Sequence, residues 1–394
     1  MSTTETPLQV APLSMEERPK RVLARYRESD VLALVGAFFS AAGLTWLLFT
    51  QIAPFNGKVG ALAVGWVLFV VIYGLLVSLD EDGQAVRDRV ASVVVHSLAL
   101  LLLTVLVFVI AYVISRGATA MVHWNFFVKD LSTTGPLDPL SLGGIGHAIV
   151  GTLIMISLSL AITVPLGLTC AVFLAEFPGP FARTVRTVVE AMTALPSIVA
   201  GLFVYTVFIL MLHVEKSGFA AALALSVMMF SIIIRAADVV LRLVPGSLTE
   251  ASLALGADRW RTVWHVTLPT ARSGLATAVI LGTARGIGET SPVLLTAGYA
   301  TSYNFNPFSG PMTSLPLAAY TLRSFPQPGL IARGFGSAAT LMVIVLVLFI
   351  VARWLGGRGP GVLSPRQSAR RAEQSLDDAY RIASRSHAAP GAPR

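Results

Sequence analysis

The sequence predicts an all-α integral membrane protein with eight transmembrane helices, and three observations carry that prediction. The 394 residues are 55% hydrophobic and only 13% charged, with a mean hydropathy of +0.73, a balance that water-soluble globular chains do not hold. A spanning helix needs about 20 apolar residues, because the hydrocarbon core is about 30 Å thick and each residue rises about 1.5 Å. Eight segments qualify: 31–50, 59–79, 90–115, 145–176, 194–213, 217–234, 275–299 and 336–355. The third observation is the uneven placement of Lys and Arg between them.

Residues 1–30 are polar and mixed in charge, without an apolar stretch or a small-residue cleavage site, so they read as a cytoplasmic N-terminal segment rather than a signal peptide. Segments 31–50 and 59–79 form a hairpin turning at Pro54, Asn56 and Gly57, with no ionisable residue inside its apolar stretches. Its expected work is packing or anchoring. The mixed-charge connector Asp80–Arg89 closes this extra unit, 31–89. The six remaining spans form a core, 90–355, interrupted by a polar stretch at 245–270. Residues 356–394 are rich in Gly, Pro, Ser, Ala and Arg with little to bury, and are expected to be a disordered cytoplasmic tail. No internal repeat is evident.

Eight crossings put both termini on one side. Of the 29 Lys and Arg residues, 22 fall on that side; Lys58, Arg116, Lys129, Lys216, Arg323 and Arg333 fall on the other, and Arg285 lies within a span. The bias places both termini and the 235–274 stretch in the cytoplasm. The net charge of +8 is therefore mostly a topology signal, and no folded basic domain that would hold nucleic acid is present. Cys170, the single cysteine, forms no internal disulfide and reads as a small apolar packing residue. His96 and His147 stand singly in or beside apolar spans, whereas a metal site needs clustered ligands; both read as packing residues with satisfied hydrogen bonds.

The stretch Glu250–Pro269 is polar and lies between hydrophobic spans. Pro245 and Gly246 stop the preceding helix, Leu248 to Leu255 give about two helical turns, and Gly256 suits the left-handed position that ends them. Asp258 caps a second short helix, on which Trp260, Val263, Trp264 and Thr267 recur at helical spacing. Two tryptophans in such a loop either dock on a partner or lie at the lipid interface. Leu268-Pro269 then lead the chain back into the membrane.

Arg285 and Glu289, four residues apart, share a face on a helix and can pair. They lie about ten residues, or about 15 Å, into span 275–299, near the bilayer midplane. An unpaired arginine there costs at least about 2.5–3.5 kcal/mol, so the two must face protein or water. Gly282 and Gly286 form a small-xxx-small pair that permits close helix approach, while Gly288 and Pro292 weaken the following turn; these residues serve bending or plain packing. Arg235, at the cytoplasmic end of span 217–234, can snorkel as a topology anchor. Glu176, at another cytoplasmic end, is expected to pair with a nearby arginine. The external segment 300–335 is either part of a docking face or a lid packed on its own helices.

Several motifs occur in a fixed order: Ala175-Glu176-Phe177, the run Ala194-Leu195-Pro196-Ser197 to Phe203, Glu250-Ala251-Ser252 with Gly256 and Leu268-Pro269, Ala284-Arg285-Gly286-Ile287-Gly288-Glu289-Thr290, and Thr313 to Tyr320. Over residues 90–355 the chain resembles the PstA-type permease subunit of the ABC phosphate importer, a type I importer with a six-helix core. It departs from that pattern in the N-terminal hairpin, the C-terminal tail and Ser252, where the coupling motif usually has a second alanine.

The resemblance implies that 250–269 couples to a separate ATPase through Glu250, Ala251, Gly256, Leu268 and Pro269. It implies that Arg285, Glu289 and Arg235 line the substrate pathway, an arginine in this motif being required for transport in the family. The resemblance alone implies the competing role for Arg235, a second anion contact. On this reading Arg285 binds phosphate transiently and Glu289 holds the arginine when the path is empty; a permanent ion pair locking the helix to a partner is the competing reading. The implied partners are a homologous PstC-type permease, two PstB-type ATPase subunits, an external PstS-type phosphate-binding protein, phosphate and membrane lipid, in the bacterial plasma membrane. The chain has no G-x-x-x-x-G-K-[ST] sequence, so ATP and Mg belong to the ATPase and no cofactor is expected here. A permease for another oxyanion (sulfate, molybdate or phosphonate) remains an alternative, as does a stand-alone channel or secondary transporter, which would not need the coupling segment.

Overall fold

The computed structural model describes residues 28–52, 57–356 and 365–387, all helix, turn or coil. Residues 1–27, 53–56, 357–364 and 388–394, which include most of the N-terminal segment and the hairpin turn at Pro54 and Asn56, lie outside the described residues. The helices are α1 (Glu28–Leu47), α2 (Lys58–Ser78), α3 (Gly83–Met121), α4 (Asn125–Val128), α5 (Gly146–Glu176), α6 (Pro180–Thr193), α7 (Ser197–Val204), α8 (Gly218–Arg242), α9 (Gly246–Ala254), α10 (Arg259–Thr262), α11 (Leu268–Ile287), α12 (Ser291–Thr296), α13 (Leu315–Arg323), α14 (Pro328–Gly356) and α15 (Pro365–His387). Short π-helical turns extend α1 to Ile52 and α7 to Met211, and join α10 to α11.

Six helices (α1, α2, α3, α5, α8 and α14) are individually long and apolar enough to cross a membrane. α6 and α7, bent by 105° at the break between them, make a seventh crossing if taken as one span. The remaining expected span, 275–299, is not one helix. It is α11, which starts earlier at Leu268, then a break at 288–290, then α12. Pro292 causes the break: it lacks an N–H and its ring would strike the carbonyl of Gly288 in a continuous helix, so it instead occupies the first turn of a new one.

The chain divides into two compact units, the first ending at Phe108 and the second beginning at Val109, inside α3. The expected boundary after residue 89 is displaced because the first half of α3 belongs with the hairpin. Val90 and Val93 join Tyr73 and Val77 in its core, Trp66 Nε1 donates to Ser97 Oγ at 2.9 Å, and Arg89 bridges Glu81 (2.6 Å) and Asp30 (2.8 Å).

In the second unit α8 is central. Small residues (Ala220, Ala221, Ala222, Ala224) bury its outer half. Ser159 of α5 bonds Ser226 at 3.1 Å, and Met155, Met229, Ile233 and Leu317 form the main core. At the C-terminal end of α8, Arg186 of α6 reaches Asp238 (3.5 Å), which also pairs with Arg242 (3.1 Å). The expected arginine partner of Glu176 is thus taken by Asp238; Glu176 makes no ion pair among the described residues. At the other end, loop 297–314 closes on residues 125–146, with Leu131 N donating to Thr301 O at 2.9 Å and Tyr303 Oη to Val128 O at 2.7 Å. Leu315, Leu317 and Ala318 are buried, so this part of the 300–335 segment is a packed lid. Arg333 is buried and donates to the carbonyls of Leu142 (2.6 Å) and Pro139 (3.0 Å), pinning the 139–142 turn.

Two expectations fail here. Residues Pro365–His387 are helical rather than disordered: Ala369, Ala372, Leu376 and Ala379 recur at intervals of three and four, a one-sided pattern that average composition conceals. His147 packs edge-on to Tyr303, with ring centroids 6.4 Å apart, but neither ring nitrogen has a hydrogen-bond partner. Tyr303 spends its hydroxyl on Val128 instead.

Candidate functional site

The two regions singled out by the sequence stand at opposite ends of α11. At its base, α9 ends as Gly256 turns into the left-handed region (φ +85°), with Gly256 N donating to Leu253 O at 2.9 Å and Ala257 N to Ser252 O at 3.2 Å. Asp258 then caps α10, its carboxylate accepting from Arg261 N at 2.6 Å. Sequence reasoning missed the tie between the two short helices: Ser252 Oγ and Thr262 Oγ1 are 2.9 Å apart, and Thr262 is buried. Ser252 therefore has a structural use that alanine could not supply.

The outer surface of this segment is apolar and open. Leu255 is 90% exposed, Trp260 65% and Trp264 53%, the two indoles meeting edge to face at 5.7 Å. Glu250 and Ala251 are exposed on α9. Beyond the π-helical turn, Leu268 and Pro269 form the first turn of α11, so no loop intervenes between coupling segment and span.

At the top of α11, Arg285 Nη1 lies 2.6 Å from Glu289 Oε1. The pair does not share a helix face as expected: Arg285 is in the last turn, and Glu289 lies beyond the C-cap Gly288, held by Glu289 N donating to Gly286 O at 3.2 Å. The contact is an ion pair without hydrogen-bond geometry at the carboxylate oxygen. It is also lopsided. The Glu289 side chain is 6% exposed and that of Arg285 55%. Arg285 lies about 20 Å along the helix from Arg272, the preceding charged residue of α11.

Gly282 and Gly286 face α8 directly. A Cβ at Gly282 would come to 2.5 Å from Ile233 Cγ1, and one at Gly286 would collide with Met229 Sδ. Their spacing announces a close neighbour without saying which helix supplies it. Pro292 lies against Gly201 of α7, where a Cβ would meet its Cα at 2.6 Å, so the break is wedged between neighbours. Arg235 is exposed on α8 and has no ionic partner among the described residues. No group of three or more His, Cys, Asp or Glu able to hold a metal ion occurs among the described residues.

Comparison with known proteins follows the same outline. Residues 163–358 match the family model of the binding-protein-dependent transport system inner membrane component. The chain is 37% identical over 263 residues to the phosphate transport system permease protein PstA of Mycobacterium leprae, covering 66% of this chain and 86% of that one. It is 37% identical over 270 residues to PstA 1 of Mycobacterium tuberculosis strain H37Rv (68% and 87%). A probable ABC transporter permease protein, YqgI of Bacillus subtilis, is 31% identical over 290 residues (69% and 96%). Among solved structures, a bacterial ABC transporter involved in the import of the acidic polysaccharide alginate aligns with a TM-score of 0.43 at 17% identity, covering 69% of this chain and 98% of that one.

Proposed function

This chain belongs to the PstA family of phosphate transport system permease proteins, and from that membership we propose how its two sites divide the work of an ATP-driven phosphate importer. The exposed face of α9 and α10 docks on a separate ATPase subunit, with Leu255, Trp260 and Trp264 as apolar anchors and Glu250 as the polar contact. The chain forms half of the translocation path and a homologous permease the other half. ATP hydrolysis belongs to the ATPase, and an external phosphate-binding protein delivers the substrate. Both termini are cytoplasmic, in the inner membrane.

One observation carries the pathway reading: a buried carboxylate holds an arginine whose own side chain is 55% exposed within a span. An exposed guanidinium at that depth does not face lipid cheaply; the facing permease and a hydrated path cover it. Its planar fork presents several donors to the oxygens of a phosphate monoanion or dianion. Glu289 neutralises Arg285 between transport events and competes with the anion, so that phosphate is bound but released. Broken helices at such depth line paths rather than lipid, because their unpaired carbonyls require polar neighbours. Arg235, exposed on α8, serves on this reading as a further anion contact at the cytoplasmic mouth of the same path.

Uptake of labelled phosphate by the reconstituted four-subunit complex tests this reading. ATP-dependent uptake that excess sulfate and molybdate leave unchanged is expected; inhibition by either assigns the path to another oxyanion, and uptake without the ATPase ends the importer reading.

A further inference from the structure

A groove of about 580 Å³ opens between the C-terminal end of α3, α13 and the first turns of α14, and coupling and translocation leave it unused. Arg116 and Arg323 stand at its rim; its walls include Val113, Ile331, Phe335 and Ala338. The walls are held by a close crossing of α3 on α14, where a Cβ on Gly117 would come to 2.7 Å from Gly336 N. Arg116 lies over the ring of Phe335 at 5.9 Å, and Tyr112 meets the same ring edge-on at 5.7 Å. Both arginines are exposed, and neither pairs with a carboxylate among the described residues.

The depth of the groove identifies what fills it. Residues 93–114 carry no Lys, Arg, Asp or Glu, and Arg116 follows that run directly; residues 334–352 of α14 are equally free of charge. The two arginines therefore sit where α3 and α14 leave the hydrocarbon, at headgroup level, with Tyr112 and Tyr320 beside them as interfacial aromatics. The rim is cationic and the floor is apolar and aromatic. A free inorganic anion would gain the first and nothing from the second. A molecule with a phosphodiester and an acyl chain fits both, and one that also carried a quaternary ammonium would place it against two guanidinium groups.

We propose that this groove binds an anionic phospholipid, its phosphodiester held by Arg116 and Arg323 and its acyl chain laid along Val113, Phe335 and Ala338. The lipid closes the wedge beside the Gly117–Gly336 crossing and holds the outer end of α3 against α14.

The test uses the assembled complex in phosphatidylcholine bilayers doped with spin-labelled phosphatidylglycerol or spin-labelled phosphatidylcholine, reading the immobilised fraction of each. Preferential retention of phosphatidylglycerol is expected. Each Arg→Gln change weakens that preference about fivefold and the Arg116→Gln/Arg323→Gln pair about thirtyfold, following the contribution of a single basic residue near an anionic surface. Ala338→Leu, which fills the floor and keeps both charges, reduces retention as well. Unchanged retention in the double variant overturns the proposal. So does displacement of the lipid by inorganic phosphate, which would make this a soluble-anion site, and so does loss of the second permease from the variant complex, which would make the groove a subunit interface.

Discussion

Removing Arg285 and removing Glu289 have unequal consequences, because burial divides the pair unevenly. In Arg285→Gln the carboxylate of Glu289, 6% exposed, loses its counter-ion. Breaking a buried pair from one side costs about 3–5 kcal/mol. In Glu289→Gln the arginine left behind is 55% exposed and rehydrates, so the loss falls toward the 0–1 kcal/mol of solvent-accessible pairs. The double change Arg285→Gln/Glu289→Gln leaves no charge to bury and should recover most of the stability lost by Arg285→Gln alone. Melting of the purified complex measures this order, and labelled phosphate uptake separates structure from transport. The double variant should assemble and melt near the parent yet fail to transport, since the anion has lost its donor. Near-parental uptake by an assembled double variant would show that the pair only fastens helices together, and the pathway reading of Arg285 would be wrong.

Gly256→Ala places a side chain at φ +85° with open space around its Cβ, so its cost of about 1–2 kcal/mol is purely conformational; phosphate-dependent ATPase activity should fall while the permease still inserts. Gly286→Val drives a side chain into Met229 and should destabilise by about 1–3 kcal/mol through overpacking, with a second change, Met229→Ala, restoring part of the lost melting temperature. Burial alone would raise the Asp130 carboxyl, but hydrogen bonds from Ser132 Oγ (2.9 Å), Ser132 N (3.3 Å) and Tyr303 N (3.3 Å) outweigh it and hold the carboxyl below its ordinary value. A depressed carboxyl stabilises the fold above its unfolded value of about 3.9 and loses that contribution as pH falls through the folded value. Amide exchange at Ser132 and Tyr303 should therefore accelerate below about pH 4, a rise that Asp130→Asn abolishes. Arg333→Met orphans the carbonyls of Pro139 and Leu142 and should lower stability by about 2–3 kcal/mol, seen as proteolytic nicking of the 139–142 turn.

Much of the architecture was legible because lipid makes strict demands on a sequence. Apolar runs of spanning length located the helices, and Gly256 and Asp258 marked the caps of the coupling segment by their own backbone chemistry. What the sequence concealed depends on neighbours. The run 275–299 is long and apolar enough on average to read as one span; Gly288 and Pro292 marked a weak turn in it, but that the turn becomes a full break, with Pro292 lodged against Gly201, depends on the neighbouring helix. Arg285 and Glu289 were visible as an intramembrane pair, but their unequal burial depends on tertiary packing, which no spacing reveals. Ser252 read as a small departure from a motif until Thr262 was found opposite it. The helix Pro365–His387 was lost to composition, which averages away the direction in which Ala369, Ala372 and Leu376 point.

The break after Ile287 has a consequence for how far motion travels. α11 is a rod, and from Leu268 to Arg285 it measures about 25 Å at 1.5 Å per residue. Tilting its base by about 10° as the docked segment shifts would carry the guanidinium about 4 Å sideways, within the range of hinge motions. Glu289 lies past the end of that rod, beyond Gly288 and before Pro292, which is lodged against α7. A stroke of that size exceeds the 2.6 Å separation of the pair, so on the proposed reading a single tilt would part the arginine from Glu289. On that reading, affinity for the anion is set by angle rather than by any chemical change at the site, and the joint at 288–290 is where mechanical work becomes a difference in binding.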